Sequence, residues 1–135
     1  GDRGAARARG AGVTDTERPL VSMLVLACQQ VTTIEAAVRG ALAQTYSPLE
    51  IVISDDASTD GTWAAIERAV AGYDGPHRVV LNRNPVNLGI GAHLNRMVGL
   101  SHGELLFVAD NQSEVTHVIR LNLVYFKDGE ELMLA

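Results

Sequence analysis

The sequence contains a single cysteine, Cys28, and no long hydrophobic run. One cysteine excludes a disulfide within the chain and a metal site built from several cysteines. The longest apolar segment, Leu20 to Cys28, has the length of a strand and falls well short of the ~20 residues that cross a membrane. Residues 1–18 contain no apolar stretch of the kind found in secretory signals. These absences predict a chain without a transmembrane segment, in the reducing setting of the cytoplasm.

Basic residues are also few in the part of the chain that can fold. Residues 19–135 carry seven basic and thirteen acidic side chains, whereas residues 1–18 carry four arginines and three acids. The acidic balance argues against nucleic acid as the main partner, because binding a phosphate backbone needs a basic face. It is compatible with a site that holds a divalent cation. The Gly, Ala and Arg composition of residues 1–12 predicts a flexible tail over residues 1–18, mobile before about Thr14, with the ordered domain beginning near Pro19.

Apolar runs and amphipathic segments alternate along residues 19–112. At 135 residues and 47% hydrophobic content, the chain can bury one sizeable core. Strands are predicted at Val21–Leu26, Glu50–Ser54, Arg78–Leu81 and Leu105–Ala109. Helices are predicted to begin at Thr32 or Thr33, where Thr32 and Glu35 have the spacing of a capping box, and to cover about 62–71 and 92–100. The alternation predicts an α/β fold with a mostly parallel sheet.

The last residues, 113–135, interrupt this alternation. The segment Val115–Phe126 has the composition of one or two strands. The residues Lys127 to Glu130 include an Asp-Gly pair and precede a short apolar run, Glu131–Leu134. Asp-Gly between apolar runs predicts an antiparallel hairpin at this end of the chain, with no function assigned to it.

Two adjacent carboxylates, Asp55 and Asp56, follow the second predicted strand. The segment Ile51–Ile53 is β-branched without alternation, as expected of a strand that is covered on both faces. The polar turn Ser58–Asp60 offers N-cap residues, and we expect Ser58 and Asp60 to cap the helix that follows. Ligands of open α/β sheets bind at the carboxyl ends of the strands, which is where this pair lies. The alternative is that both carboxylates only cap or solvate the turn.

The segment around Gly89 and Gly91 offers a second place for a ligand, since glycine lets a backbone approach closely. It differs from a dinucleotide-binding fingerprint, because Leu94 stands where the third glycine belongs. The chain also has no P-loop, and both absences disfavour an unrelated nucleotide-binding α/β protein. The glycines could instead only shape the entry into a helix. The four histidines have no metal-ligand spacing: His77, His93, His102 and His117.

Three ordered runs carry a resemblance to a known family: AQTYSPLEIVISDDASTDGT, NLGIGAHLN and GELLFVAD. In this order they resemble the nucleotide-binding half of the family 2 nucleotide-sugar glycosyltransferases, which have the GT-A fold. The resemblance covers about Pro19 to Asp110 and implies a Rossmann-like GT-A half with helices on both faces of the sheet. It also implies transfer of a sugar from a nucleoside-diphosphate donor, expected to be a UDP-sugar, to an acceptor hydroxyl with inversion.

The resemblance also implies roles for individual residues. Asp56 corresponds to the carboxylate that accepts a hydrogen bond from the nucleobase, typically N3–H of uracil, while Asp55 braces the turn. Asn95 is expected to face inward from its helix. The implied donor-nucleotide site comprises Ala27, Asp55, Asp56, Asn87, Gly89, Asn95 and Asp110.

The chain departs from the family pattern at its metal motif. The family's Asp-x-Asp corresponds here to Asp110–Asn111–Gln112, so that Asp110 is the expected ligand of Mg²⁺ or Mn²⁺ and the second carboxylate is missing. Hard cations prefer charged oxygen ligands, and we therefore expect weak metal binding. No general-base carboxylate stands in a comparable motif after Asp110. The resemblance therefore implies an incomplete catalytic domain that binds a donor without turnover. The alternative is a non-catalytic binding or assembly module that retains the fold.

A further departure lies after the first strand. Cys28 and Gln29 stand where family members commonly have a Tyr-Asn pair, so that a base cannot stack on tyrosine there. We expect Cys28 to be a small buried apolar residue rather than a nucleophile.

Overall fold

A computed structural model describes residues 18–110, 120–126 and 131–133. The expected tail, the rest of the metal motif after Asp110 and the expected hairpin turn lie outside these residues. The described elements are β1 (Val21–Ala27), α1 (Ile34–Leu42), β2 (Leu49–Asp55), α2 (Thr62–Val70), β3 (Arg78–Arg83), α3 (Ile90–Leu100), β4 (Leu105–Asp110), β5 (Arg120–Phe126) and β6 (Glu131–Met133). None of these helices is long and apolar enough to span a bilayer.

The strands form one sheet in the order β3-β2-β1-β4-β5-β6. β1 pairs in parallel with β2 and β4, and β2 pairs in parallel with β3, which confirms the predicted mostly parallel sheet. β5 and β6 add an antiparallel edge, in agreement with the expected C-terminal strands. Asp56 follows β2 and Asp110 ends β4; the sequence places both after apolar runs that would suit adjacent central strands, but β1 lies between these two strands.

Helices cover both faces of the parallel strands. Successive residues of a strand point to opposite faces, and the core divides accordingly. One face packs Met23, Ile51 and other buried residues against α1 and α2, while Leu24 and Val52 pack with Met97 of α3 on the other face. α1 buries the side whose apolar residues recur at helical spacing, with Ile34, Ala37, Val38 and Ala41 inside and Leu42 partly buried. The sheet therefore forms the middle of three layers and is apolar on both sides.

The helix starts differ from their predictions. α1 begins after Thr33, whose side chain makes no capping hydrogen bond, and the expected capping box of Thr32 and Glu35 is wrong. Glu35 instead bonds to Arg39 at 2.7 Å on the exposed side of the helix. α2 begins after Gly61, which adopts a left-handed φ of 94°. Asp60 accepts a hydrogen bond from the first helical amide at 3.0 Å, whereas the expected capping by Ser58 does not occur because that side chain bonds elsewhere.

A polar cluster closes the amino edge of the sheet, at the opposite end from the strand termini that precede Asp56. Its centre is the fully buried carboxylate of Glu50 in β2. Glu50 accepts hydrogen bonds from the Ser22 hydroxyl and the His102 amide, both at 2.7 Å, and lies 2.7 Å from His102 Nδ1. Burial by itself would raise the pKa of Glu50, but these donors outweigh it and hold the pKa below its ordinary value. The cluster therefore keeps a buried charge ionised inside an otherwise apolar sheet.

Candidate functional site

A small pocket opens at the carboxyl edge of the sheet, with a volume of about 150 Å³. It is lined by Leu26, Ala27, Cys28, Gln30, Asp56, Asn87, Gly89, Ile90 and His93. These residues come from the end of β1, the position after β2 and the entry into α3, which meet because parallel strands end at the same edge. Whole ligand sites usually measure about 300–1,000 Å³, so this pocket has room for only one part of a ligand of that size.

Asp56 is the charged centre of the pocket and is 3% exposed. Its Oδ1 accepts hydrogen bonds from Asn84 Nδ2 at 2.9 Å and from the Leu88 amide at 2.8 Å, and its Oδ2 accepts one from the Gly89 amide at 3.0 Å. Burial by itself would raise the pKa of Asp56, but these three donors outweigh it and lower the pKa. A carboxylate offers about four acceptor positions, so the ionised group keeps one position, on Oδ2, for a ligand.

Asp55 is fully buried behind the pocket and does not line it. Its carboxylate accepts hydrogen bonds from the Ser58 hydroxyl at 2.5 Å and the Ser58 amide at 3.3 Å. Between them Ala57 adopts a left-handed φ of 62°, a conformation that costs a non-glycine residue energy. Asp55 thus holds a strained turn in place, which is the bracing role that the resemblance implies.

The loop after β1 is tied to the loop after β2 by side-chain hydrogen bonds. Gln29 donates from Nε2 to Thr59 Oγ1 at 3.0 Å and accepts from the Thr59 amide at 3.1 Å. The amides of Gln29 and Gln30 donate to the hydroxyls of Ser58 and Thr62 at 2.7 and 2.8 Å. Two walls of the pocket therefore form one connected unit, to which Asp56 attaches the third wall, residues 84–89.

His93 is the site residue that sequence reasoning missed. It lies in α3, is 2% exposed, and places Nε2 at 2.7 Å from the hydroxyl of Ser54 in β2. Burial lowers the pKa of His93, and the charges of Asp56 and Asp55 oppose this only in part. The ring is therefore neutral near pH 7. The sequence marks His93 only by its position four residues after Gly89, which places both on one side of a helix. An ordinary core residue would have the same spacing.

Of the seven residues predicted for the donor-nucleotide site, four line this pocket. These are Ala27, Asp56, Asn87 and Gly89, and the Asn87 side chain donates to the backbone carbonyl of Asp56 at 3.1 Å. Asn95 is exposed and lies outside the pocket lining, so the expectation that it faces inward is wrong; His93, two positions earlier in α3, lines the pocket instead.

Two other predicted positions lie at the same edge. Asp110 ends β4, and its backbone lies at the same edge of the sheet as Asp56, as predicted, because β4 and β2 both run parallel to β1. Cys28 is exposed at the pocket wall, where its Sγ lies 3.4 Å from Asn87 Nδ2. The expectation of a buried Cys28 is wrong, because β1 ends at Ala27 and the chain turns outward at the next residue.

The fit of a divalent cation rests on the donor set. Among the residues that the structure describes, no group of three or more His, Cys, Asp or Glu side chains could hold a metal ion. Asp110, the predicted ligand, ends β4 at this edge. The described residues therefore do not form a complete cation site by themselves.

A sequence model of a known protein family, described as glycosyl transferase family 2, matches residues 22–121. The chain belongs to this family. It is 28% identical, over 86% of its length, to the UDP-Glc:alpha-D-GlcNAc-diphosphoundecaprenol beta-1,3-glucosyltransferase WfaP of Escherichia coli, of which it spans 44%. The chain thus spans less than half of this curated relative.

Solved structures of other proteins share the fold. The mannosyltransferase PcManGT of Pyrobaculum calidifontis, solved with GDP-Man and Mn²⁺, matches 80% of this chain and 32% of its own, with 26% identity and a TM-score of 0.65. S. aureus TarS 1-349, solved with UDP-GlcNAc, matches 67% of this chain and 26% of its own, with 21% identity and a TM-score of 0.58. These likenesses agree with the predicted GT-A fold.

Proposed function

We propose that this chain forms the donor-binding half of a glycosyltransferase that moves a sugar from a UDP-sugar to an acceptor hydroxyl with inversion. The observation that carries the proposal is the pocket at the carboxyl edge of the sheet, in which Asp56 keeps one acceptor position open. Relatives that use UDP-Glc, or that were solved with GDP-Man or UDP-GlcNAc, support a nucleotide sugar as the ligand.

Asp56 is the residue that we assign to the nucleobase. An ionised carboxylate accepts hydrogen bonds and donates none, so it selects a ring nitrogen that carries a proton. The small side chain of Ala27 and the backbone of Gly89 leave room beside it. Uracil fits this requirement through N3–H, and the fixed donors of residues 84–89 hold the carboxylate in place before the base arrives.

A divalent cation belongs to the proposal only in a limited form. The Mn²⁺ in PcManGT supports a cation in this family. A bound cation would neutralise the diphosphate that leaves when the sugar is transferred. We assign Asp110 to it as the one carboxylate that the described residues offer at the end of β4, and expect weak binding because a hard cation prefers several charged oxygens. We place the protein in the cytoplasm, where its one exposed cysteine stays reduced.

Calorimetric titration with UDP tests the proposal. In Asp56→Asn, the side-chain amide keeps one oxygen for Asn84 and Leu88, while its NH₂ group replaces the oxygen that accepts from the Gly89 amide and that faces the open position. Two donors then face each other when uracil binds. A hydrogen bond to a charged group contributes roughly 1.5–3 kcal/mol, so UDP affinity should fall by about 10- to 100-fold. The exposed carboxylate of Asp74 offers a matched control, since Asp74→Asn changes the net charge equally and far from the pocket.

Two results would contradict this proposal. Unchanged UDP affinity in Asp56→Asn would restrict Asp56 to holding the loop of residues 84–89. Absence of UDP binding by the unmodified chain, with thermal unfolding intact, would remove the donor-binding role altogether.

The second candidate is a non-catalytic binding module that retains the fold. It is favoured by the lack of a three-ligand cluster among the described residues. General-base assistance contributes about 10²–10⁴-fold, so the 135-residue chain should bind UDP and release little or no sugar from a UDP-sugar. Release of UDP, followed with radiolabelled donors and simple sugar acceptors, measures this. Rapid turnover would show that the base lies within these residues.

A further inference from the structure

His93 stands next to Asp56 in the pocket, yet the proposed contact between Asp56 and the base does not use it. Its ring lines the pocket, and Nε2 is held at 2.7 Å from the hydroxyl of Ser54. Ser54 is fully buried in β2, so the imidazole is anchored to the sheet rather than free to rotate. A buried and anchored ring presents its remaining nitrogen in one direction.

The hydrogen bonds of Ser54 determine which nitrogen of His93 carries the proton. The Ser54 hydroxyl already accepts a hydrogen bond from Asn82 Nδ2 at 2.9 Å. Among the described residues, His93 Nε2 is the other group that this buried hydroxyl contacts. The hydroxyl proton is satisfied only if it is donated to Nε2, because buried polar groups are almost always paired. Nε2 is then the acceptor, and the proton of the neutral ring lies on Nδ1.

The Nδ1–H group lies at the pocket side of a buried ring and is not fully enclosed by protein. No residue that the structure describes pairs with it. It is not sealed in the core either, because His77 Nδ1 is the one fully enclosed side-chain nitrogen or oxygen without a partner in the described part of the chain. A donor that is neither paired nor enclosed, on a ring that lines the pocket, is available to whatever occupies that pocket.

We propose that His93 determines base specificity by donating Nδ1–H to a carbonyl of the nucleobase, beside the ring N–H that Asp56 accepts. The inference rests on the proposed donor-binding function and extends it. An acceptor next to a donor is complementary to bases that place an N–H beside a C=O, namely uracil and guanine. Cytosine and adenine present a bare ring nitrogen beside an amino group.

The comparison of UDP with CDP isolates this contact. The two nucleotides differ at N3 and at the group on C4. With CDP, a lone pair would face the carboxylate of Asp56 and an amino group would face Nδ1–H of His93, so both contacts become repulsive. Asp56 supplies one part of the discrimination and His93 the other. Removing the imidazole should therefore weaken UDP binding and relieve part of the repulsion toward CDP.

The experiment is a titration of UDP and CDP into the unmodified chain, His93→Phe and a control on the same helix. Phe retains the ring and lacks both nitrogens. A neutral hydrogen bond accounts for a fold-change of roughly 2 to 12, so we expect the UDP-to-CDP affinity ratio to fall by about tenfold. Gly99→Ala serves as the control, because a Cβ there meets no atom within 4 Å, and its ratio should equal that of the unmodified chain.

Nitrogen-15 spectra of the imidazole rings test the tautomer without any substitution, which matters because His93→Phe leaves the Ser54 hydroxyl unpaired in the core. A proton on Nδ1, with a shift of that resonance when UDP is added, is the expected result. A proton on Nε2 would overturn the inference, as would an unchanged UDP-to-CDP ratio in a folded His93→Phe protein that still binds UDP. Absence of UDP binding by the unmodified chain would overturn the proposed function as well.

Discussion

Asp56 holds the loop of residues 84–89 against the sheet, and its replacement by alanine should loosen that loop. The change removes the acceptor of three hydrogen bonds: those from the Asn84 side chain and the amides of Leu88 and Gly89. Asn84 is 3% exposed, so its side-chain Nδ2 would stay unpaired, at a cost of roughly 1–3 kcal/mol. Leu88 is 40% exposed, and water can reach the backbone there.

These contributions sum to a loss of about 2–6 kcal/mol in the free energy of unfolding, since each of the two rehydrated amides loses only ~0.5–1.5 kcal/mol. For a domain of this size, 1 kcal/mol corresponds to roughly 4 °C, so Tm should fall by about 8–24 °C. Thermal unfolding followed by circular dichroism measures the total. Hydrogen exchange shows where stability is lost. The Leu88 and Gly89 amides should exchange much faster in Asp56→Ala, whereas the amides of β2 should exchange faster only by the amount that the lower global stability accounts for.

Asp74→Ala provides the reference, since an exposed carboxylate without special contacts should change stability by no more than ~0.5 kcal/mol. If Asp56→Ala and Asp74→Ala unfold at the same temperature, or if the two loop amides retain their protection, the loop does not depend on Asp56. Asp56 would then be free to serve the ligand alone.

Two further predictions concern pH and packing. The folded pKa of Asp56 lies below its ordinary value of 3.8. The ionised carboxylate therefore stabilises the fold above pH 3.8, and this stabilisation is lost as the pH falls through the folded pKa. Asp56→Asn should flatten the dependence of Tm on pH in this acid range. The pKa of His93 in the folded protein is lowered from 6.5, so the unfolded chain binds a proton more readily than the folded one. Stability therefore falls as the pH drops from 6.5 toward the folded pKa, and His93→Phe should remove this loss of stability. A Cβ at Gly103 would lie 2.6 Å from the Ser22 backbone nitrogen, so Gly103→Ala should destabilise the fold by about 1–3 kcal/mol. Gly99→Ala should be neutral or stabilising by up to ~1 kcal/mol, because a Cβ there meets no atom within 4 Å. Urea unfolding measures both changes. Equal stability of the two alanine variants would contradict the packing at the amino edge.

The sheet could be predicted because its strands are unusually uniform in sequence. β1 and β2 are buried on both faces, and their runs of Val, Ile and Leu leave no helical period. Strand ends were less predictable: β3 continues to Arg83 because its backbone pairing with β2 extends past the apolar residues into Asn82 and Arg83. Pairing of the backbone does not depend on the side chains that define an apolar run.

The pocket could be predicted only in part. Asp56 and Gly89 stand out because a carboxylate pair after a strand and a glycine before a helix are visible within a few residues. His93 and Asn84 do not, because their partners Ser54 and Asp56 lie 39 and 28 positions away, and only the folded sheet brings them together. Cys28 was misjudged for a similar reason, since the outward turn after Ala27 depends on hydrogen bonds to the loop after β2.

The buried carboxylate of Glu50 has a consequence for how the parallel strands find their alignment. Ser22 lies directly opposite Glu50 in the pairing of β1 with β2, and the Gly103 amide, 81 positions after Ser22, donates to the Ser22 hydroxyl at 2.8 Å. No tight turn joins these strands, so local geometry cannot prevent one from sliding past another. A shift by a single residue would turn Glu50 or Ser22 to the wrong face and leave a charge in the core without donors, which costs several kcal/mol.

Only one alignment of β1, β2 and the start of β4 satisfies this carboxylate. Each strand has a fixed length, so the alignment of the strands at their amino ends also determines where their carboxyl ends lie. Ala27, Asp55 and Asp110 therefore reach the opposite edge at fixed positions, so the hydrogen bonds of Glu50, remote from the pocket, determine where the pocket's walls stand.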